Sequence, residues 1–474
     1  MEREEVREVS FDQLEKGYAT QWEWMEDLFA WLDLRLYFYY KHHQWLGPDS
    51  DLRNMLGVVV SREEFEHKLA KSAQRGLEAM LEDEDGELLA DSAGLIELRL
   101  SLSSPDFPLR LLFERCALDS FEQSCVILAF AAALDRKYEK LFAYLQDDIT
   151  QKLPTVPLAV QLFLPFGERV EDYLTRFSRE DAFTALFDPE RLAAGSLALK
   201  QSVLGFLSTG AWPDSERIRL FDGQRQRPAG PMVIAQDVAE KLDRVFEQDG
   251  PWAVCLYGEP GIGRRFQVEH LMARKGARCV FADLEGEQAE ALVKEANLAA
   301  RLTDACLCCC HLDRKDADGN LLPPPGQLLN AILESEGSRD RVFLLSQLPI
   351  RAKIRRLNVD LRLPPTTEDE RMALFRAFLG EHRLEEGLSA EELAAKFRFT
   401  PLQIQLACDQ AKGLVRLDGS SVISAKLMHQ CCYRQVVHKL GDLANPVRPA
   451  YGWDDVVLPE SQKQLLQHAC SHIK

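Results

Sequence analysis

The residues best suited to chemistry lie in Leu256–Leu271, LYGEPGIGRRFQVEHL, where Gly258, Gly261 and Gly263 sit between an apolar run and a helix-like one. In a working phosphate loop, G-x-x-x-x-G-K-[ST], glycines let successive backbone N–H groups turn inward and wrap the phosphates. The Lys neutralises the outer phosphates and the Ser or Thr hydroxyl ligates Mg²⁺. Here Gly258, Glu259, Pro260, Gly261, Ile262 and Gly263 supply the cradle, Arg264 stands at the Lys position and Arg265 at the hydroxyl position. Arg264 can still meet an anion, although a planar guanidinium does not place a point charge as an ammonium does. Arg265 offers no lone pair to a metal and adds a cation beside it. The expected binding residues are therefore 258–265, with ATP or ADP admitted and Mg²⁺ disfavoured.

A second stretch tests the same point. Downstream of a phosphate loop an apolar strand usually ends in an Asp that holds Mg²⁺ through water, followed in such ATPases by a Glu that activates the attacking water. In ACLCCCHLDR (305–314) the Asp is present as Asp313, a remnant of that motif, but the next residue is Arg314. Two lesions in one apparatus predict little or no hydrolysis by this chain alone.

Strands and helices must position these residues. Apolar runs WAVCLY (252–257), RCVFADL (278–284), ACLCCCHLD (305–313) and RVFLLSQL (341–348) alternate with helical patterns, the signature of a parallel sheet in an α/β unit. Helical sequence resumes from TEDERMALFRAFL (367–379), which predicts a small helical lid. Upstream, short helical patterns begin after Asp119 and Asp135, whose side chains suit the free N–H groups of helix starts. RIRLFDG (217–223) alternates like a β-ribbon, and small helices closed by a ribbon suggest a winged helix over 106–230. The polar linker DGQRQRPAGP (222–231) ends it. At the front, residues 11–46 read as a helix with bulky groups on nearly every side, to be covered by its own domain and in part by a partner.

Composition narrows the function classes. A chain of 474 residues should divide into about three domains. The apolar run VILAFAAAL (126–134) falls short of the ~20 residues needed to span a bilayer, and the charged N-terminus lacks a signal-peptide pattern, so a cytoplasmic protein without membrane contact is expected. Twelve cysteines, four of them in CLCCC (306–310), do not make the framework of a small secreted fold and suit a reducing compartment. Because successive strand residues point to opposite faces, Cys306, Cys308, Cys309, Cys310 and His311 do not converge on a metal unless the strand bends, and the cysteines are read as buried small hydrophobes. DADG (316–319) reads as a surface turn. A formal charge of −18 opposes non-specific binding to nucleic acid.

Taken together, residues 232–440 resemble an AAA+ ATPase module: LYGEPGIGRR matches its first nucleotide motif and ACLCCCHLDR its second. RVFLLSQLP resembles the strand that carries the γ-phosphate sensor, placing Ser346 or Gln347 there. IRRLNVDLRLPPTTEDERMALFRAFL resembles the segment where arginines enter a neighbouring subunit's site, placing trans arginines at Arg355 and Arg356. FTPLQIQLA lacks the usual lid arginine. Residues 113–163 resemble the winged-helix region that precedes two AAA+ modules in ATPases encoded with phage-tail-like contractile injection systems, and PAYGWDDVVLPESQKQLLQHACSHIK resembles the lead-in to the second module.

The resemblance implies a multidomain architecture: an N-terminal helical domain (1–105), a winged-helix-like domain (106–230), a degenerate AAA+ α/β P-loop NTPase subdomain (231–365), a helical lid (366–445), and a lead-in (446–474) to a second module absent from this sequence. On that reading the chain is a fragment or a shortened form. It would assemble with itself or a full-length paralogue in a ring, dock a protein through its N-terminal or winged-helix region, and leave hydrolysis to the second module. Two rival classes are a winged-helix DNA-binding regulator with a nucleotide switch, disfavoured by the acidic charge, and an adaptor that never binds nucleotide.

Overall fold

The computed structural model describes residues 16–42, 87–104, 106–164, 168–228, 230–286, 288–316, 318–334, 340–350, 356–419, 422–440, 453 and 456–471. They fall into two compact units. One comprises Met1–Ala229, Gln236–Glu259 and Arg264–Leu363; the other comprises Gly230–Ala235, Pro260–Gly263 and Pro364–Lys474.

The first unit opens with α1 (Gln21–His42) and α2 (Glu87–Ser101), then α3 (Pro108–Arg115), α4 (Ser120–Leu134), α5 (Lys137–Leu145), α6 (Val156–Phe163) and α7 (Gln201–Thr209). Along α1, Trp24, Met25, Leu28, Leu32 and Leu36 are buried at helical spacing and join one core with Leu112, Phe130 and Leu207. The expected boundary near residue 105 lies between α2 and α3. Polar ties cross that point. Gln21 Nε2 donates to Leu207 O at 2.8 Å while Gln21 Oε1 accepts the Leu109 N–H at 2.7 Å. Lys137 Nζ meets the fully buried Asp33 at 2.7 Å.

Helix α4 is buried on every side from Cys125 to Ala131, which explains its continuous apolar sequence. Its start is fixed by a capping box: Asp119 accepts the Glu122 N–H at 2.9 Å, and Glu122 Oε2 accepts the Asp119 N–H at 3.1 Å. Asp135 likewise accepts the Lys137 N–H at 2.8 Å, so both acids act as the sequence suggested.

The sheet contains β1 (Ile218–Asp222), β2 (Trp252–Tyr257), β3 (Arg278–Asp283), β4 (Cys306–Cys310), β5 (Arg341–Ser346) and β6 (Leu357–Arg362), in the spatial order β1-β3-β4-β5-β2-β6. Every neighbouring pair is parallel except β1 with β3. Helices α8 (Gln236–Phe246), α9 (Arg264–Lys275), α10 (Ala289–Leu302) and α11 (Gly326–Leu333) lie in the connections, as parallel pairing requires.

Two details differ from the sequence reading. The 217–223 segment does not close a ribbon among its neighbouring helices; β1 pairs antiparallel with β3, Ile218 opposite Ala282 and Asp222 opposite Arg278. On its outer edge the N–H groups of Ile218, Leu220 and Asp222 donate to Ser215 Oγ, Asp214 Oδ1 and Gln226 Oε1. The second difference is β6, a parallel edge strand not anticipated, because only Leu361 in Leu357–Arg362 is fully buried and the apolar signal is thin.

The second unit is built from α12 (Glu368–Leu379), α13 (Ala390–Lys396), α14 (Pro401–Leu417) and α15 (Ala425–Leu440), with Arg383–Leu384 paired to Val422–Ile423 in a short parallel bridge. Phe375, Leu393, Ile404, Cys408 and Met428 fill its core. Helix α12 starts at a second capping box, Thr367 with Glu370, and Glu370 Oε1 also accepts the Ala235 N–H at 2.7 Å. Among the described residues no helix is long and apolar enough to cross a membrane.

Candidate functional site

Strands β2, β4 and β5 are parallel, so the segments that follow them all leave at one edge, where open α/β sheets gather their ligands. Strand β2 is placed by burial of Trp252 through Leu256 and hands over to the glycine loop at Gly258, whose N–H donates to Ser346 O at 3.3 Å. Gly261 and Gly263 have φ of 78° and 99°, a left-handed backbone that side chains with a Cβ rarely adopt. Helix α9 then begins at Arg264. Glu259 and Pro260 are exposed while Ile262 is buried and anchors the loop.

Arg264 and Asp313, which sequence placed in two separate motifs, come together. Arg264 Nη1 lies 3.9 Å from Asp313 Oδ2, with side-chain exposures of only 15% and 8%. Asp313 is further held by β5: Ser346 Oγ donates to it at 2.7 Å and the Gln347 N–H at 2.8 Å. The two residues read as sensor positions thus serve as donors to the remnant carboxylate. Burial pulls the Arg264 pKa down, with Asp313 opposing, and among the described residues Arg264 Nη1 makes no hydrogen bond. A buried guanidinium N–H without an acceptor is a donor that an anionic oxygen would satisfy.

Arg265, at the hydroxyl position, turns away. Its Nε donates to Glu269 at 2.8 Å and its guanidinium lies over the Phe281 ring, 4.4 Å from the centroid. This donor set does not fit Mg²⁺. The divalent ion needs oxygen ligands in near-octahedral array. Here the hydroxyl is missing, Asp313 is already engaged by two donors, and a cation stands 3.9 Å from it. A phosphate oxygen would suit Arg264 better than a metal would, since its Nη1 N–H has no acceptor among the described residues.

The remaining expected residues separate. Arg356 is half-buried and its guanidinium donates to Leu333 O of its own chain; burial lowers its pKa. Arg355, and most of the basic run IRAKIRR, lies outside the described residues. Cys306, Cys308, Cys309 and Cys310 are buried, and burial drives the Cys309 thiol well above its ordinary pKa. His311 leaves the strand with φ 54° and pairs with Asp283 Oδ1 at 2.7 Å. In the DADG turn, Asp316 Oδ1 accepts the Asp318 and Asn320 N–H groups at 3.0 and 2.7 Å.

One feature was missed at the sequence level. Within the second unit the loop tip is packed on the start of α14: Gly261 O accepts the Leu402 N–H at 3.1 Å, and a Cβ on Gly261 would meet Thr400 Oγ1 at 2.9 Å. The T-x-x-Q pattern of Thr400 and Gln403 signals a helix start, and Gln403 Oε1 accepts the Thr400 N–H at 3.0 Å, but nothing in that pattern names the loop as its neighbour.

Two family models match the chain. Residues 8–184 match "Winged helix domain, variant", and residues 367–438 match "Contractile injection system ATPase helical domain". No curated protein matches it. Together the two matches support a relative of the ATPases associated with contractile injection systems, with a winged helix in its N-terminal part.

Proposed function

We propose that the α/β module is a degenerate nucleotide-binding module that does not hydrolyse ATP, and that the chain acts in ring assembly or docking for a contractile injection system. The observation that carries this reading is the Arg264–Asp313 pair. An arginine at the lysine position has turned the carboxylate expected at the metal into an internal counter-ion, steadied by Ser346 and the Gln347 N–H. ATP or ADP would be held by the 258–263 backbone and by Arg264, without a metal. Residues 366–445 serve as its lid. Partners are further copies of this chain or a full-length paralogue, and a protein docked through the N-terminal or winged-helix region.

The test is a titration of fluorescent ATP and ADP against the chain, with Mg²⁺ and with a chelator, alongside phosphate release. We expect no turnover, and nucleotide affinity that is the same with and without Mg²⁺. Turnover abolished by Gly263→Asp would overturn the non-hydrolysing reading. Absence of binding at about millimolar nucleotide would remove the nucleotide from the proposal and leave assembly alone.

A further inference from the structure

A cleft of about 580 Å³ opens within the first unit, between residues 156–200 of the N-terminal half and α10 of the sheet. Its volume is in the range that holds small organic ligands. Leu174, Phe177, Phe187 and Leu298 give it apolar walls. Four cations and two acids also line it, and the acids are already used. Glu180 pairs with Lys294 at 2.9 Å, and Asp181 Oδ1 accepts the Thr184 N–H at 3.0 Å. Arg301 donates to the Arg115 carbonyl at 3.4 Å, with no acid partner among the described residues.

Of the other two cations, Arg179 is exposed to solvent and Lys200 is half-buried. Lys200 stands at the end of the segment that leads into α7, and among the described residues its ammonium makes no hydrogen bond or ion pair. Glu295 and Asp188 act on it as opposite charges and Lys294 as a like charge, and Asp188 also accepts the Arg191 N–H at 3.0 Å. Burial accordingly lowers the Lys200 pKa, the mark of a charge not fully compensated. Apolar walls that surround an uncompensated ammonium match a molecule with a greasy body and one acidic end.

We propose that this cleft is a binding site for an amphipathic carboxylate, its apolar body against Phe177, Phe187 and Leu298 and its acid group on Lys200. The same chemistry is offered by a free organic acid and by a chain terminus that ends in an apolar residue.

Calorimetry on the full chain with octanoate, octanol and octylamine tests it, the last two being the same body with a neutral and a cationic end. Octanoate should bind with Kd below about 1 mM and at least about tenfold tighter than octanol. Lys200→Met should erase that difference, Lys200→Arg should keep it, and Ala193→Trp, at an exposed lining position, should weaken octanoate and octanol together. Far-UV circular dichroism and thermal melting of each variant separate loss of the site from loss of the fold. Equal binding of octanoate and octanol, no octanoate binding up to about 10 mM, or an acid preference that survives in folded Lys200→Met would overturn the proposal. Gly-Leu-Phe as free acid and as amide distinguishes the sources: tighter binding by the tripeptide acid than by octanoate assigns a chain terminus, and the reverse order assigns a small free acid.

Discussion

Arg264 and Asp313 are both largely withdrawn from water, so each is the condition for burying the other. Removing one partner of such a pair leaves a charge with neither solvent nor counter-ion. Asp313→Ala should therefore lower stability by about 3 kcal/mol, read as a fall in the denaturant midpoint, whereas Arg265→Ala, which loses only an i,i+4 pair and a ring contact, should cost less than about 1 kcal/mol. Arg264→Lys restores one family residue but supplies neither a hydroxyl at 265 nor a carboxylate at 314. Phosphate release should stay at background in this variant; a gain of turnover would show that the lysine position alone had silenced the site. At this scale the sequence was informative because chemistry attaches to residue type: a guanidinium lacks lone pairs wherever it lies. What it withheld was partnership. Nothing in the order of residues says that Arg264 would meet Asp313, that Ser346 Oγ would donate to it, or that Arg356 would turn to its own chain's Leu333 carbonyl.

Helices and strands were legible in proportion to the strength of their burial pattern. The four apolar runs became β2 to β5 because each is buried over most of its length, and α4 followed from its acid cap. Edge strands carry no such signal. β6 keeps one fully buried residue, and β1 was visible as a strand while its pairing partner, some sixty residues later, was not. Two element-scale outcomes follow. The cysteines of Cys306–Cys310 should resist iodoacetamide in native protein at mildly alkaline pH, because burial keeps the Cys309 thiol protonated there and a hydrogen bond with Cys308, together with burial, does the same for Cys310, and they should alkylate fully once unfolded, a difference that mass spectrometry reads directly. Gly261→Ala should destabilise the second unit by about 1–2 kcal/mol, since the backbone there has φ 78° and the new methyl carbon would lie 2.9 Å from Thr400 Oγ1; hydrogen exchange at the start of α14 would report it.

At the scale of the whole molecule, the net charge of −18 bears on what a winged helix is for. The match over 8–184 fits a fold that docks proteins as readily as DNA, and fold alone does not choose. The net negative charge opposes non-specific contact with a phosphate backbone, so DNA binding would need a local basic patch. A gel shift with duplex DNA at low salt should show no discrete complex, and a tight, sequence-selective one would favour the regulator class. The outer strand β1 adds a further constraint. Its outward N–H groups are already occupied by Ser215, Asp214 and Gln226, so the row of donors that an incoming strand would need has been spent locally. Growth by adding one chain's backbone to another's is closed at that border. Whatever joins this protein there must recognise side chains, and recognition of that kind can be switched off one residue at a time without unpicking the sheet.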